Sequence, residues 1–235
     1  MNKNILIVGG NSGIGHACVK VLAENNRIYS LTRSGVVGSS IENVEYVSGD
    51  VHKTGLDYSF LPEKLDAVIY CPGTINLKPF SSLMTEDFEK DFKINVMGLI
   101  NTIKAAMPAL KCSGNASVIA FSTVAVSQGM SYHASVATAK GAVEGLIRSL
   151  AAEYAAAGIR FNSIAPSLVN TPLASNLTKT ASKLETISKR HPLNRIGEAH
   201  EIAALVKFLV SDDASWMTGQ VLHPDGGLSS IKELS

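Results

Sequence analysis

Two rhythms of apolar residues alternate along this chain. Short β-rich runs occur at Ile5 to Val8, Ile28 to Leu31, Val44 to Val47, Ala67 to Tyr70 and Val118 to Phe121. Each has the length and composition of a strand buried in a sheet. Between them the apolar positions repeat at helical spacing, first at Ile14, Ala17, Val21 and Leu22, then over about Thr85 to Leu110 and Ser135 to Ala157. A sixth strand is predicted at Arg160 to Ile164, stopped by Pro166, then a helix over Glu198 to Val210 and a seventh strand near Val221. Strands separated by helices make βαβ units, whose right-handed crossovers stack the strands in parallel with helices on both faces. The pattern predicts an α/β, doubly wound single domain over residues 1–235, built on a central seven-stranded parallel sheet.

Composition narrows the classes of function. Hydrophobic residues make up 46% of the 235 and charged residues 17%, enough for one large core. No Pro/Ser-rich linker, charge run or repeat divides the chain. The 21 basic residues nearly balance the 20 acidic ones, which argues against nucleic-acid or membrane-surface partners. Cys18, Cys71 and Cys112 are far apart and form no CxxC, so a metal site is not expected and three reduced thiols are. The apolar run in MNKNILIVGG is too short for a signal peptide and no stretch approaches a membrane span, so the expected location is cytoplasmic.

The chemistry begins at GGNSGIG, Gly9 to Gly15, between the first strand and first helix. Glycines there allow a tight turn and bring backbone N–H groups to a pyrophosphate at the positive end of the helix. Gly9, Asn11, Ser12, Gly13, Ile14 and Gly15 are therefore candidate cofactor contacts. A protein that binds NAD places a carboxylate after the second strand to hold the adenosine ribose. From Ile28 to Ser40 there is no Asp or Glu; Thr32, Arg33 and Ser34 stand there instead. A guanidinium between hydroxyls suits a 2′-phosphate, so the expected cofactor is NADP. The missing acid also counts against a methyltransferase.

These features, in this order, resemble the short-chain dehydrogenase/reductase family, whose fold is of the Rossmann type. The turn has that family's GxxxGxG spacing, with Val8 where the usual pattern has threonine. By the same resemblance Asp50 and Val51 would meet the adenine, and Tyr70-Cys71-Pro72-Gly73 stands where the family commonly has NNAG, with only the glycine kept. Asn95 in KINVMG stands at the place of its active-site asparagine. Pro166, Val169 and Thr171 match its nicotinamide contacts, with Ser167 in place of a glycine. TGQVLHPDGG, Thr218 to Gly227, resembles its closing strand. That match, with the small-residue face Ala137, Gly141 and Gly145, implies a homotetramer or a homodimer. Leu168 to Arg190 would be the substrate loop, and a small molecule the partner.

The resemblance breaks at one residue. In the family a YxxxK pair opens the helix after the fifth strand, its lysine holding the nicotinamide ribose and its tyrosine giving a proton to the substrate. Here Lys140 is set by AKGAVEGL, and four positions earlier stands Val136; Thr123 falls on the serine position. Valine has no proton to give. His133, seven before Lys140 as in the family's enoyl-reductase branch, is a candidate acid, with Tyr132 next. Three readings stay open: a carbonyl reductase with a displaced acid, a reductase of activated alkenes that takes its proton from water, and a protein that binds NADPH without turnover.

Overall fold

The computed structural model describes residues 3–35, 40–53 and 55–231. The ends of the expected domain and residues 36–39 of the acid-free loop lie outside them. Seven parallel strands form the centre: β1 (Asn4–Val8), β2 (Arg27–Thr32), β3 (Val44–Ser48), β4 (Ala67–Tyr70), β5 (Ala116–Phe121), β6 (Ile159–Ile164) and, after a separate two-stranded ladder of β7 (Val169–Asn170) and β8 (Gly197–Glu198), β9 (Val221–Leu222). Their order is β3-β2-β1-β4-β5-β6-β9. The order reverses at β1, so the carboxyl ends of β1 and β4 open a crevice between helices of opposite faces, the place where such sheets bind ligands.

Strand side chains alternate between two cores. Leu6, Val8, Val68, Tyr70, Val118 and Ala120 point into one and Ile5, Ile7, Ala67, Ile69 and Ile119 into the other. The second core is closed by α1 (Gly13–Ala23) and the last long helix, numbered α7 below, through Cys18, Val19, Leu22, Ile202, Val206 and Leu209. The first is closed by α3 (Gly98–Ser113), which follows α2 (Thr85–Phe92), and by α5 (Ala134–Tyr154), which follows the single turn α4 (Val124–Ser127). The short α6 (Ala181–Ser188) and α7 (Ala199–Val210) complete the chain.

Two expectations are refined. The helix expected over Thr85 to Leu110 is interrupted by a π-helical turn at Lys93–Met97, centred on Asn95, and runs on to Ser113, where Gly114 in the left-handed region (φ 69°) ends it. The segment expected as a plain substrate loop carries structure of its own: β7, a 3-10 turn at Pro172–Ala174 and α6. Strands of two residues, Val-Asn in β7 and Gly-Glu in β8, are too short to leave a periodic trace in the sequence.

Candidate functional site

The glycine turn before α1 is built by exclusion. Gly9 and Gly13 adopt φ of 82° and 52°, a region that side chains disfavour. A Cβ on Gly15 would stand 2.2 Å from the Gly9 carbonyl oxygen, so only glycine lets the turn fold back on the helix. Ser12 is the N-cap of α1, yet its hydroxyl makes no capping bond and the first turn holds no acid. The free N–H groups at that end of α1 thus face an open cavity with positive field, the arrangement that receives a phosphate.

That cavity measures about 890 Å³ and runs from this turn to α5. It lies within the range of small-molecule and cofactor sites, roughly 300–1,000 Å³. At one end it is lined by Asn11, Ser12, Thr32, Arg33 and Ser34. Asn11 donates to the Ser34 hydroxyl at 2.9 Å, while the Thr32 hydroxyl is occupied by the Gly35 carbonyl at 2.8 Å. The exposed Arg33 side chain is left facing the cavity. Val51 and His52 complete this end. Partial burial holds the His52 imidazole below its usual range, with Arg33 and Lys93 pushing the same way and Asp50 opposing. Asp50 itself lies behind the lining and accepts from the His52 backbone N–H at 3.0 Å. Among the described residues no Asp or Glu lines the cavity, whereas Arg33, Lys140 and Arg190 do.

The far end gathers Gly73, Thr123, His133, Val136 and Lys140. Lys140 is buried, and its ammonium donates to the Phe121 carbonyl at 2.8 Å. Burial pushes it down to about 8, with Cys71 and Asp91 pulling the other way. Asn95 does not reach the lining. Its amide nitrogen donates to the Asp91 carbonyl (2.7 Å) and the Thr74 hydroxyl (3.0 Å), while its buried Oδ1 has no partner. Oδ1 and the Lys140 Nζ both lie within 3.5 Å of where a Gly73 Cβ would stand, so an orphaned acceptor and a donor converge on one spot. Asp91, also buried, takes the Thr74 and Ser135 hydroxyls.

Val136 is 6% exposed and lines the cavity one helical turn before Lys140. His133 lines it too, with Nδ1 2.7 Å from the Ser131 carbonyl, which can only accept, so Nδ1 carries the proton of the neutral ring. Tyr132 is 59% exposed and outside the lining, and no tyrosine lines the cavity among the described residues. Cys71, Pro72, Pro166, Val169 and Thr171 form the remaining walls among the residues expected from the sequence. The sequence reading missed His52, Thr74 and His191. None sits in a recognisable motif, and only the fold brings them to the cavity.

The residues fit a nicotinamide dinucleotide: a phosphate cradle at a helix N-terminus, a cation at the ribose end and a buried lysine with an orphaned acceptor at the other. Among the described residues no cluster of His, Cys, Asp or Glu could hold a metal, and no helix is long and apolar enough to cross a membrane.

Comparison with known proteins agrees with this geometry. Residues 55–229 match the family model described as Enoyl-(Acyl carrier protein) reductase. A tropinone reductase homolog of Arabidopsis thaliana is 33% identical over 243 residues, covering 97% of this chain and 91% of that protein. One from Datura stramonium is 31% identical over 241 residues, covering 94% and 90%. The ligand-free aldohexose dehydrogenase of Thermoplasma acidophilum superposes with a TM-score of 0.89 at 26% identity, covering all of this chain and 96% of the other. ElxO with NADP bound superposes at 0.84 with 25% identity, over 98% of this chain and all of that one.

Proposed function

The chain belongs to the short-chain dehydrogenase/reductase family of oxidoreductases, and we propose that it is an NADP-dependent member transferring hydride between NADPH and a small carbonyl or activated-alkene substrate. The observation that carries this reading is the cavity: one continuous space from the phosphate cradle to Lys140, with cations and no carboxylate in its described lining. When bound, the cofactor supplies the hydride. The chain supplies the rest. Gly9, Asn11, Ser12, Gly13, Ile14 and Gly15 hold the pyrophosphate; Arg33, between Thr32 and Ser34, takes the 2′-phosphate; Val51 flanks the adenine, with Asp50 behind it holding the His52 N–H. Cys71, Pro72, Gly73, Pro166, Val169 and Thr171 enclose the nicotinamide half, where Lys140 holds the ribose and Asn95 supports it from behind. Thr123 orients a substrate oxygen, and His133 is a candidate source of the proton. Val136 replaces the family's tyrosine.

The test has two arms. Calorimetric titration should show NADPH binding about ten- to a hundredfold more tightly than NADH, the worth of a charge-assisted pair of about 1.5–3 kcal/mol, and Arg33→Leu should remove the difference. Equal affinities in the native protein would sink the NADP assignment. The second arm follows NADPH oxidation with a panel of quinones, ketones, aldehydes and enones. Val136 in a cavity without tyrosine favours one rival, a sensor or assembly protein that binds NADPH without turnover; tight binding with complete inertness across the panel would select it.

A further inference from the structure

Ser167, three residues past the end of β6, and His191, three residues past the end of α6, meet across the cavity wall. Ser167 Oγ lies 2.8 Å from His191 Nε2, and His191 Nδ1 lies 3.0 Å from the Ile187 carbonyl. Both side chains line the cavity, and His191 is only 4% exposed, its ring packed against Gly226. The Pro166 carbonyl accepts from the Val124 N–H at 3.1 Å, which ties this segment to Thr123 at the carboxyl ends of β5 and β6. The pair therefore lines the cavity on the side of Thr123.

Its hydrogen-bond logic follows from donor counts. A carbonyl can only accept, so Nδ1 of His191 carries a proton in the neutral ring and Nε2 has a lone pair. In that state the Ser167 O–H donates to Nε2. When Nε2 gains a proton the bond reverses, with Nε2 donating to Oγ, and the Ser167 O–H is released toward the cavity. One proton thus decides whether the serine can donate to a ligand. His133 lacks this construction: it is less buried, and no partner holds its Nε2. The charged neighbours are Arg190, which lines the cavity, and Asp225, whose carboxylate is engaged by the Gly227 and Ser229 N–H groups and the Ser229 hydroxyl.

We propose that Ser167 and His191 are the proton relay that stands in for the missing tyrosine, and that the substrate is an apolar ketone, aldehyde or quinone. The assignment rests on the reading of the site as a reductase. As hydride from a reduced nicotinamide, which is thereby oxidised by two electrons, adds to the carbonyl carbon, the π pair of the C=O bond moves onto oxygen. That oxygen takes the Ser167 hydroxyl proton, Oγ takes the proton of His191 Nε2, and the imidazole is left neutral until solvent recharges it. Ser167 is the catalytic residue here and His191 the positioning one. Met130, Leu173, Leu177, Ile187 and Leu228 surround this end, which favours an apolar body on the carbonyl compound. A simple alkene would have no oxygen for the serine to meet.

Two measurements test the relay. In the apoprotein, nitrogen-15 NMR of the imidazoles should find neutral His191 as the Nδ1–H tautomer, with an Nε2 resonance that moves in Ser167→Ala; an Nε2–H tautomer, or no change in the variant, overturns the pairing. With NADPH and phenanthrenequinone as the probe, Ser167→Ala should lower kcat by about 10²-fold or more, the lower end of general acid catalysis, with KM nearly unchanged. Ser167→Thr should restore most of it, and His191→Gln should fall as Ser167→Ala does. If His191→Gln does not fold, the serine pair of variants decides alone. Unchanged kcat in Ser167→Ala, or a threonine that restores nothing, overturns the relay while leaving the reductase reading intact. A native protein inert with this probe and with the whole panel overturns the reductase reading, and the relay with it.

Discussion

Lys140 shows how a single side chain can be costly to the fold and useful to the site. Its ammonium is buried against the Phe121 carbonyl, and its pKa falls to about 8 from the ordinary 10.5. In the unfolded chain the group keeps its proton until pH 10.5, so the unfolded state binds more protons between those values. Stability must therefore rise with pH through that window. The penalty is fully present below about pH 8 and amounts to roughly 3 kcal/mol. Denaturant unfolding of the apoprotein should show Lys140→Met more stable than the native chain at pH 7, the gap closing by pH 10.5; a gap that does not change with pH would remove burial as the cause. Four residues earlier, Val136 occupies buried space on the cavity wall. In a Ser167→Ala background, which lacks the relay, Val136→Tyr should place a phenol beside Lys140 and raise carbonyl reduction by about 10²–10⁴-fold, read as kcat with a panel of ketones. No gain in a folded variant that still binds NADPH would show that the rest of the site cannot use that acid.

The elements contribute through their ends more than their middles. α1 presents its N-terminus to the cavity because Gly15 lets the turn pack onto it, with no room for a Cβ against the Gly9 carbonyl. Gly15→Ala should displace the turn and weaken NADPH binding, since overpacking of this kind costs about 1–3 kcal/mol. Titration calorimetry together with thermal unfolding would separate lost binding from lost fold, and unchanged affinity would contradict the cradle. The π turn at Lys93–Met97 acts at the same scale. It breaks the regular helical ladder around Asn95, whose side chain satisfies the Asp91 carbonyl and keeps Oδ1 free beside Lys140. A regular helix would have been equally compatible with the apolar spacing of this stretch.

At the scale of the whole molecule, apolar side chains are exposed beside α5. Phe92 and Met97 are each 41% exposed, and with Phe88 they border a shallow groove against α5. On α5 the half-buried Ala137 and Gly141 lead to Gly145, beside which a Cβ would meet open space. Small residues on a long helix let another helix approach closely. The expected state remains a homotetramer or homodimer, and sedimentation velocity at micromolar concentration should show it, with Gly145→Arg shifting the protein toward monomer. A native monomer at that concentration would end the idea.

Local chemistry is legible in the chain itself. Alternating apolar periods specified the doubly wound sheet, because buried strands and two-faced helices each leave their own spacing in the chain. Glycine spacing marked the phosphate turn, the acid-free stretch after β2 left Arg33 facing the cavity, and the residues after Lys140 fixed its position at the start of α5. Which side chains share the cavity is set by how the folded chain packs. His52 arrives from the loop after β3, Thr74 from the loop after β4, and Ser167 meets a histidine 24 positions away. Such meetings depend on the path of loops through space, and no periodicity records that path. Asp50 and Asn95 show the converse, since both match a motif by position yet stand behind the cavity wall. The sequence sets the chemistry available at a position, while packing sets the direction in which a side chain can use it.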